Sequence, residues 1–195
     1  QACTAANRFI VHAAVADEFV SRVTARVQAM KVGSGLEAGV NIGPLIDAQA
    51  VDSTDELVAD AIGRGASVTI GGNRIERAGY FYAPTVLRDV QPGTRLLAEE
   101  IFGPVLGVTT FETEEEAVAK ANGTEYGLMS YAYTRDVRRA HRLIDSLETG
   151  MMGLNTGLVS NAAAPFGGVK ASGLGREGSH EGIAEYLETK YTLIP

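Results

Sequence analysis

The sequence predicts an α/β fold: an open, largely parallel sheet flanked by helices, in one domain of 195 residues. Three observations lead there. In the second half, strand-like runs, the first of them the β-branched Val105–Phe111, alternate cleanly with helix-like segments. Helix-start signals follow directly on strand-like runs, as Thr113 with Glu116 follows Val105–Phe111. The length suits a single substantial core, and no repeat, low-complexity tract or internal linker divides it. Alternation of this kind implies right-handed crossovers, with ligands expected where loops leave the carboxyl ends of strands.

Taken in order, Asn7–Val11 reads as a short strand and Ala14–Met30 as a helix. In that helix Val15, Phe19, Val20, Val23, Val27 and Met30 make one buried stripe. Gly33 and Gly35 stop it, and a Gly/Pro loop runs through Asn41-Ile42-Gly43-Pro44. A second helix is expected over Ala48–Gly63, with Leu57, Val58, Ala61 and Ile62 inward. Ser67–Ile70 is a strand closed by Gly71-Gly72, and Tyr80–Leu87 contains another that Pro84 places at an edge or a break. Then follow a strand at Val105–Phe111, a helix to Ala121, a strand at Gly127–Tyr133, a helix at Asp136–Leu147 and a strand at Met151–Asn155. After a glycine-rich loop come a short helix at Gly182–Leu187 and a last strand, Tyr191–Ile194.

Lys and Arg total 17 against 24 Asp and Glu, a formal charge of −7, and no basic block stands out. Nucleic acid and anionic membrane are therefore poor partners. No apolar run reaches the length of a membrane span, and the sequence carries no signal-peptide pattern. The single cysteine, Cys3, cannot close an internal disulfide, and no Cys/His cluster has metal-ligand spacing. The cytoplasm is the expected compartment and no metal is expected. The chain opens at Gln1, without a methionine and in the middle of a motif, which reads as a fragment of a longer protein.

Three stretches carry candidate chemistry. The first is Gln1-Ala2-Cys3-Thr4-Ala5-Ala6-Asn7-Arg8, where Cys3 is either core filler or a nucleophile. The second is Glu99-Glu100-Ile101-Phe102-Gly103-Pro104-Val105: two acids, an aromatic and a Gly-Pro turn before a buried strand. On its own it reads as a solvated acidic loop anchored by Phe102. The third runs from Asn155-Thr156-Gly157-Leu158-Val159-Ser160 through Pro165-Phe166-Gly167-Gly168-Val169-Lys170-Ala171-Ser172-Gly173-Leu174-Gly175-Arg176-Glu177. Its glycines signal unusual backbone angles or a close approach. A phosphate-binding loop is excluded, since no Gly-x-x-x-x-Gly-Lys-Ser/Thr pattern occurs. Of the histidines, only His12 lies near Cys3 in sequence, and a Cys-His hydrolase is a poor reading.

Together and in this order, the three stretches resemble the aldehyde dehydrogenase superfamily: its Gly-Gln-x-Cys segment, its Glu-Glu-Ile-Phe-Gly-Pro motif and its Pro-Phe-Gly-Gly-x-Lys-x-Ser-Gly-x-Gly-Arg-Glu run. The resemblance implies that residues 1–185 are that family's catalytic domain and 186–195 an oligomerisation strand that pairs with a neighbouring subunit, unless the tail is a simple edge strand. It implies Cys3 as nucleophile, Glu100 accepting from the nicotinamide ribose hydroxyls and Phe102 packing beside the nicotinamide. A carboxylate, being acceptor-only, suits vicinal hydroxyls. Phe166 would border the substrate tunnel. The wording around Gly153–Ser160 and Lys170–Ser179 resembles the succinate-semialdehyde dehydrogenases, in which Ser160 would hold the distal carboxylate, an ordinary loop serine being the alternative. The oxyanion asparagine, the glutamate base, the carboxylate-binding arginines and the dinucleotide domain would all precede Gln1. The isolated chain is therefore expected to lack turnover, with Cys3 exposed. NADP is the expected cofactor, NAD the alternative, and the protein is expected to be a homo-oligomer. Another ω-carboxy or aliphatic aldehyde, or a non-enzymatic oligomerisation module, are the competing readings. Some members of this branch carry a second cysteine two residues after the nucleophile; Ala5 stands there, so a disulfide switch by that route is absent.

Overall fold

A computed structural model describes residues 1–195. The chain groups into two compact units, Gln1–Ala121 and Asn122–Pro195.

The first unit is built on a four-stranded sheet in the order β1-β4-β3-β2. Its strands are β1 (Arg8–His12), β2 (Ser67–Ile70), β3 (Thr85–Arg88) and β4 (Val105–Phe111). β4 pairs in parallel with both β1 and β3, and β2 joins β3 antiparallel. The sheet is thus largely parallel, as expected. Pro84 does not put β3 at an edge. It ends the irregular stretch before the strand, and β3 begins at the next residue in a central position.

Helix α1 (Ala13–Gln28) is capped by His12, whose Nδ1 accepts from the Ala14 N–H at 3.1 Å. It buries Ala16, Val20 and Val27. Val15 and Met30, expected in the stripe, are exposed; Met30 lies beyond the helix end, and Val15 faces outward in the first turn. Helix α2 (Ala48–Gly63) has the expected bounds, with Asp47 accepting from Ala50 N–H at 2.8 Å. Leu57, Val58 and Ala61 are buried, whereas Ile62 lies on the outer side of the last turn and is exposed.

The two helices cover opposite faces of the sheet. Leu87 and Val105 join the α2 residues, Leu96 and Ile101 in one apolar cluster. On the other face Arg88 reaches Asp17 of α1 at 2.8 Å, and Thr24 of α1 bonds Thr69 of β2. Successive residues of β3 thus serve different layers, the period-two rule of a strand. Helix α3 (Glu114–Asn122) follows β4. Thr113 Oγ1 accepts from Glu116 N–H, while the Glu116 carboxylate reaches back one residue further than a simple capping box, to Glu112 N–H at 2.8 Å.

The second unit holds two small sheets. β6 (Met129–Ala132) and β7 (Met151–Leu154) are parallel, joined through α4 (Val137–Ser146). Asp136 caps α4 by accepting from Arg138 and Arg139 N–H, which hold its carboxyl below the usual range. β5 (Tyr126–Gly127) pairs antiparallel with β8 (Val169–Lys170). The single strand expected over Gly127–Tyr133 is therefore two, serving different sheets. A 3₁₀ turn occupies Gly182–Tyr186 in place of the expected helix. The last strand expected at Tyr191–Ile194 does not form; residues 187–195 are exposed and irregular. Its side chains suit a strand, but a strand exists only as one half of a ladder, and here no neighbour supplies the other half.

Candidate functional site

Cys3 lies in a turn closed by Ala5 N–H donating to the Ala2 carbonyl at 2.9 Å, and its side chain is exposed. Five residues on, the chain enters β1 at Arg8, which stands opposite Gly107 of β4. Phe102 lies five residues before Gly107. The Cys3 turn and the Glu99–Pro104 segment thus lead into the amino ends of two adjacent parallel strands. The expectation that this part of the site follows carboxyl ends is corrected: the loops that bear Cys3, Glu100 and Phe102 enter strands rather than leave them. The reason lies in the topology. β3 and β4 are parallel neighbours, so residues 89–104 must cross back to the start of β4, and the motif is the last leg of that crossover.

The entry to β1 is held at several points. The Asn7 carbonyl accepts from Gly107 N–H at 3.2 Å. The half-buried Arg8 guanidinium donates to the Lys120 and Ala121 carbonyls, both at 2.9 Å, and burial lowers its pKa. These are last-turn carbonyls of α3 that have no partner within the helix.

Residues 95–105 are fixed with equal care. Leu96 and Ile101 are buried in the α2 cluster. Arg95 makes a bidentate ion pair with Glu99, at 2.7 and 2.9 Å, and this guanidinium holds the Glu99 carboxyl below the usual range. Asp60 of α2 accepts from Arg95 N–H at 2.9 Å. Glu100, the next residue, is exposed, and its carboxylate takes part in no hydrogen bond or ion pair. Phe102 has φ +47° and is half exposed, a left-handed conformation that an aromatic residue rarely adopts. Beside it, a Cβ on Gly103 would come within 2.8 Å of Oγ1 of the fully buried Thr54, so this stretch can lie on α2 only with glycine there. A free acceptor-only group and a half-exposed ring on a pinned loop fit a ribose with vicinal hydroxyls and its attached planar base.

Ser160 and Phe166 belong to the second unit. Ser160 is exposed in the loop after β7. Asn155, with φ +56°, extends that edge: its side chain accepts from Thr134 N–H and donates to the Thr134 carbonyl, both at 2.9 Å. Phe166 is half-buried and exchanges two backbone hydrogen bonds with Glu177, at 2.8 and 2.7 Å. The glycines around it permit close backbone approach: a Cβ on Gly150 would overlap the Gly167 carbonyl, and one on Gly167 would meet the Gly175 carbonyl at 2.6 Å. Arg176 donates to the Gly168 and Gly175 carbonyls from within this loop.

His12 spends Nδ1 on its cap and sets its ring edge-on to Phe111. His141 and His180 are exposed. No group of three or more His, Cys, Asp or Glu side chains is arranged to hold a metal ion. No helix is long and apolar enough to cross a membrane. Sequence reading passed over Arg95 and Arg8. The i, i+4 spacing of Arg95 and Glu99 was a visible signal, whereas Arg8 acquires its partners only when β1 meets α3.

Comparison with known proteins gives a consistent picture. A sequence profile of the Aldehyde dehydrogenase family matches residues 1–192. A succinate-semialdehyde dehydrogenase of Paenarthrobacter nicotinovorans is 51% identical over 194 residues, covering 100% of this chain and 43% of that protein. A glutarate-semialdehyde dehydrogenase of Pseudomonas aeruginosa is also 51% identical over 194 residues, covering 100% of this chain and 40% of the relative. The crystal structure of an E. coli NADP dependent enzyme superposes with a TM-score of 0.96 at 47% identity, over 98% of this chain and 40% of the other. The chain thus spans about two fifths of the length of the relatives it matches.

Proposed function

Because the chain belongs to the aldehyde dehydrogenase family, we propose that it supplies the nucleophile of an enzyme that oxidises a carboxylate-bearing aldehyde to the acid, succinate semialdehyde before others. The observation that carries this is the convergence of the exposed Cys3 turn and the pinned Glu99–Pro104 loop on neighbouring strand starts, with Glu100 left free. NADP is the proposed cofactor, supported by the NADP-dependent E. coli structure, and Glu100 and Phe102 are the residues of this chain that would hold its ribose and nicotinamide. The cytoplasm is the proposed compartment.

In the proposed reaction the Cys3 thiolate adds to the aldehyde carbon, forming a C–S bond and a tetrahedral oxyanion, which the backbone N–H of Cys3 helps to stabilise. The dinucleotide, held in this chain by Glu100 and Phe102, would supply the hydride acceptor, and loss of hydride from the substrate carbon would leave a thioester on Cys3. Water then breaks the C–S bond, releasing the acid and returning the thiol. Ser160, exposed in the β7 loop, offers a hydroxyl donor to the distal carboxylate of the substrate.

Substrate class is tested with the full-length protein by NADPH production from succinate semialdehyde, glutarate semialdehyde and acetaldehyde. Ser160→Ala is expected to raise KM for the two carboxylate-bearing aldehydes by about tenfold, the worth of a hydrogen bond to a charged group, and to leave acetaldehyde unchanged. An equal effect on all three would remove Ser160 from substrate recognition. A glutarate-semialdehyde enzyme is the second reading, favoured by the equal identity of that relative. A higher kcat/KM for the five-carbon substrate would select it.

A further inference from the structure

We propose that Arg95 is a positioning residue for the dinucleotide: by clamping Glu99 it leaves Glu100 as the one acid of the pair that is available to the ribose. The inference rests on the reading of Glu100 as the ribose acceptor.

Two adjacent carboxylates before a strand pose a selection problem. Both are exposed, both are acceptor-only, and either could turn toward a pair of hydroxyls. The structure separates them. Glu99 is taken by the guanidinium fork of Arg95 through two parallel hydrogen bonds, at 2.7 and 2.9 Å, one turn away in sequence. Glu100 has no partner.

The clamp is itself seated on α2. Asp60 accepts from the Arg95 backbone N–H and also from Arg64 Nε, both at 2.9 Å, and Glu56 lies 3.7 Å from Arg95 Nη1. Leu96 in the same 3₁₀ turn is fully buried, so the backbone that carries the fork cannot drift. At the far end, Ile101 in the core and Gly103 against Thr54 fix the exit from the loop. Glu100 therefore lies between a clamped residue and a buried one. Freeing Glu99 lets residues 98–100 rotate, which costs positional entropy on ligand binding and offers the ribose a misdirected competitor.

Exposed single ion pairs usually contribute little to stability. The clamp is consequently expected to show in binding more than in melting. The fork is also the part that lysine cannot reproduce, because an ammonium is a point charge and cannot make two parallel bonds to one carboxylate.

The test measures KM and Kd for NADP+ in the full-length protein for wild type, Arg95→Lys, Arg95→Ala, Glu99→Gln and Glu100→Ala, each checked for a native thermal transition. Arg95→Ala and Glu99→Gln are expected to raise the dinucleotide KM about five- to tenfold, with Arg95→Lys intermediate. The aldehyde KM should stay within about twofold, and the alkylation rate of Cys3 should not change. If Glu100→Ala weakens the dinucleotide and the Arg95 and Glu99 variants do not, the positioning role is overturned and the assignment of Glu100 stands. If Glu100→Ala has no effect on the dinucleotide, both fall.

Discussion

At the scale of single residues, Glu99 and Glu100 are neighbours of one type set apart by their partners: Arg95 holds the first and no side chain holds the second. Arg8 makes the same point at a partly buried position. It is a charged residue at the start of a strand, half-buried, and its burial is compensated by two helix-end carbonyls. Arg8→Ala is expected to destabilise the protein by about 1–3 kcal/mol in denaturant unfolding, with Arg8→Lys recovering part of the loss, because two partly buried helix-end carbonyls lose their donor. A loss below about 0.3 kcal/mol would mean that water satisfies those carbonyls equally well. The sequence made Cys3, Glu100, Phe102, Ser160 and Phe166 legible as candidates through their motifs. The fork on Glu99 was announced only by the i, i+4 spacing of Arg95, and the left-handed backbone of Phe102 by nothing local, since it arises when residues 95–103 are laid on α2.

At the scale of elements, the strongly periodic segments were readable and the short ones were not. α2 and β4 have the bounds their apolar spacing and β-branched content suggest. β8 is two residues long and exists only because Tyr126–Gly127 lies opposite it, a pairing more than forty residues apart that no local pattern announces. The tail erred the other way. Tyr191-Thr192-Leu193-Ile194 has strand propensity but no partner within the chain, and Tyr186, Leu187, Tyr191, Leu193 and Ile194 are all exposed. We propose that residues 186–195 serve oligomerisation by adding to the sheet edge of a second copy. Deleting them in the full-length protein should lower the sedimentation coefficient to that of a smaller assembly. An unchanged coefficient would leave the tail a plain surface segment.

At the scale of the whole molecule, the α/β class and the largely parallel sheet followed from alternation of strands and helices, and family membership followed from three motifs in order. The division into two compact units had no compositional mark, because its boundary falls in the last turn of α3 and not in a Pro- or Ser-rich linker. The proposed catalytic domain, residues 1–185, includes both. The central claim, that Cys3 forms the covalent bond to substrate, is tested most directly by steady-state NADPH production from succinate semialdehyde with full-length wild type and Cys3→Ala at matched folding. Turnover in Cys3→Ala is expected to fall by at least about a thousandfold, since the substitution removes the thiol that would carry the thioester. Retention of turnover within about tenfold of wild type would contradict the covalent mechanism and with it the role of Cys3.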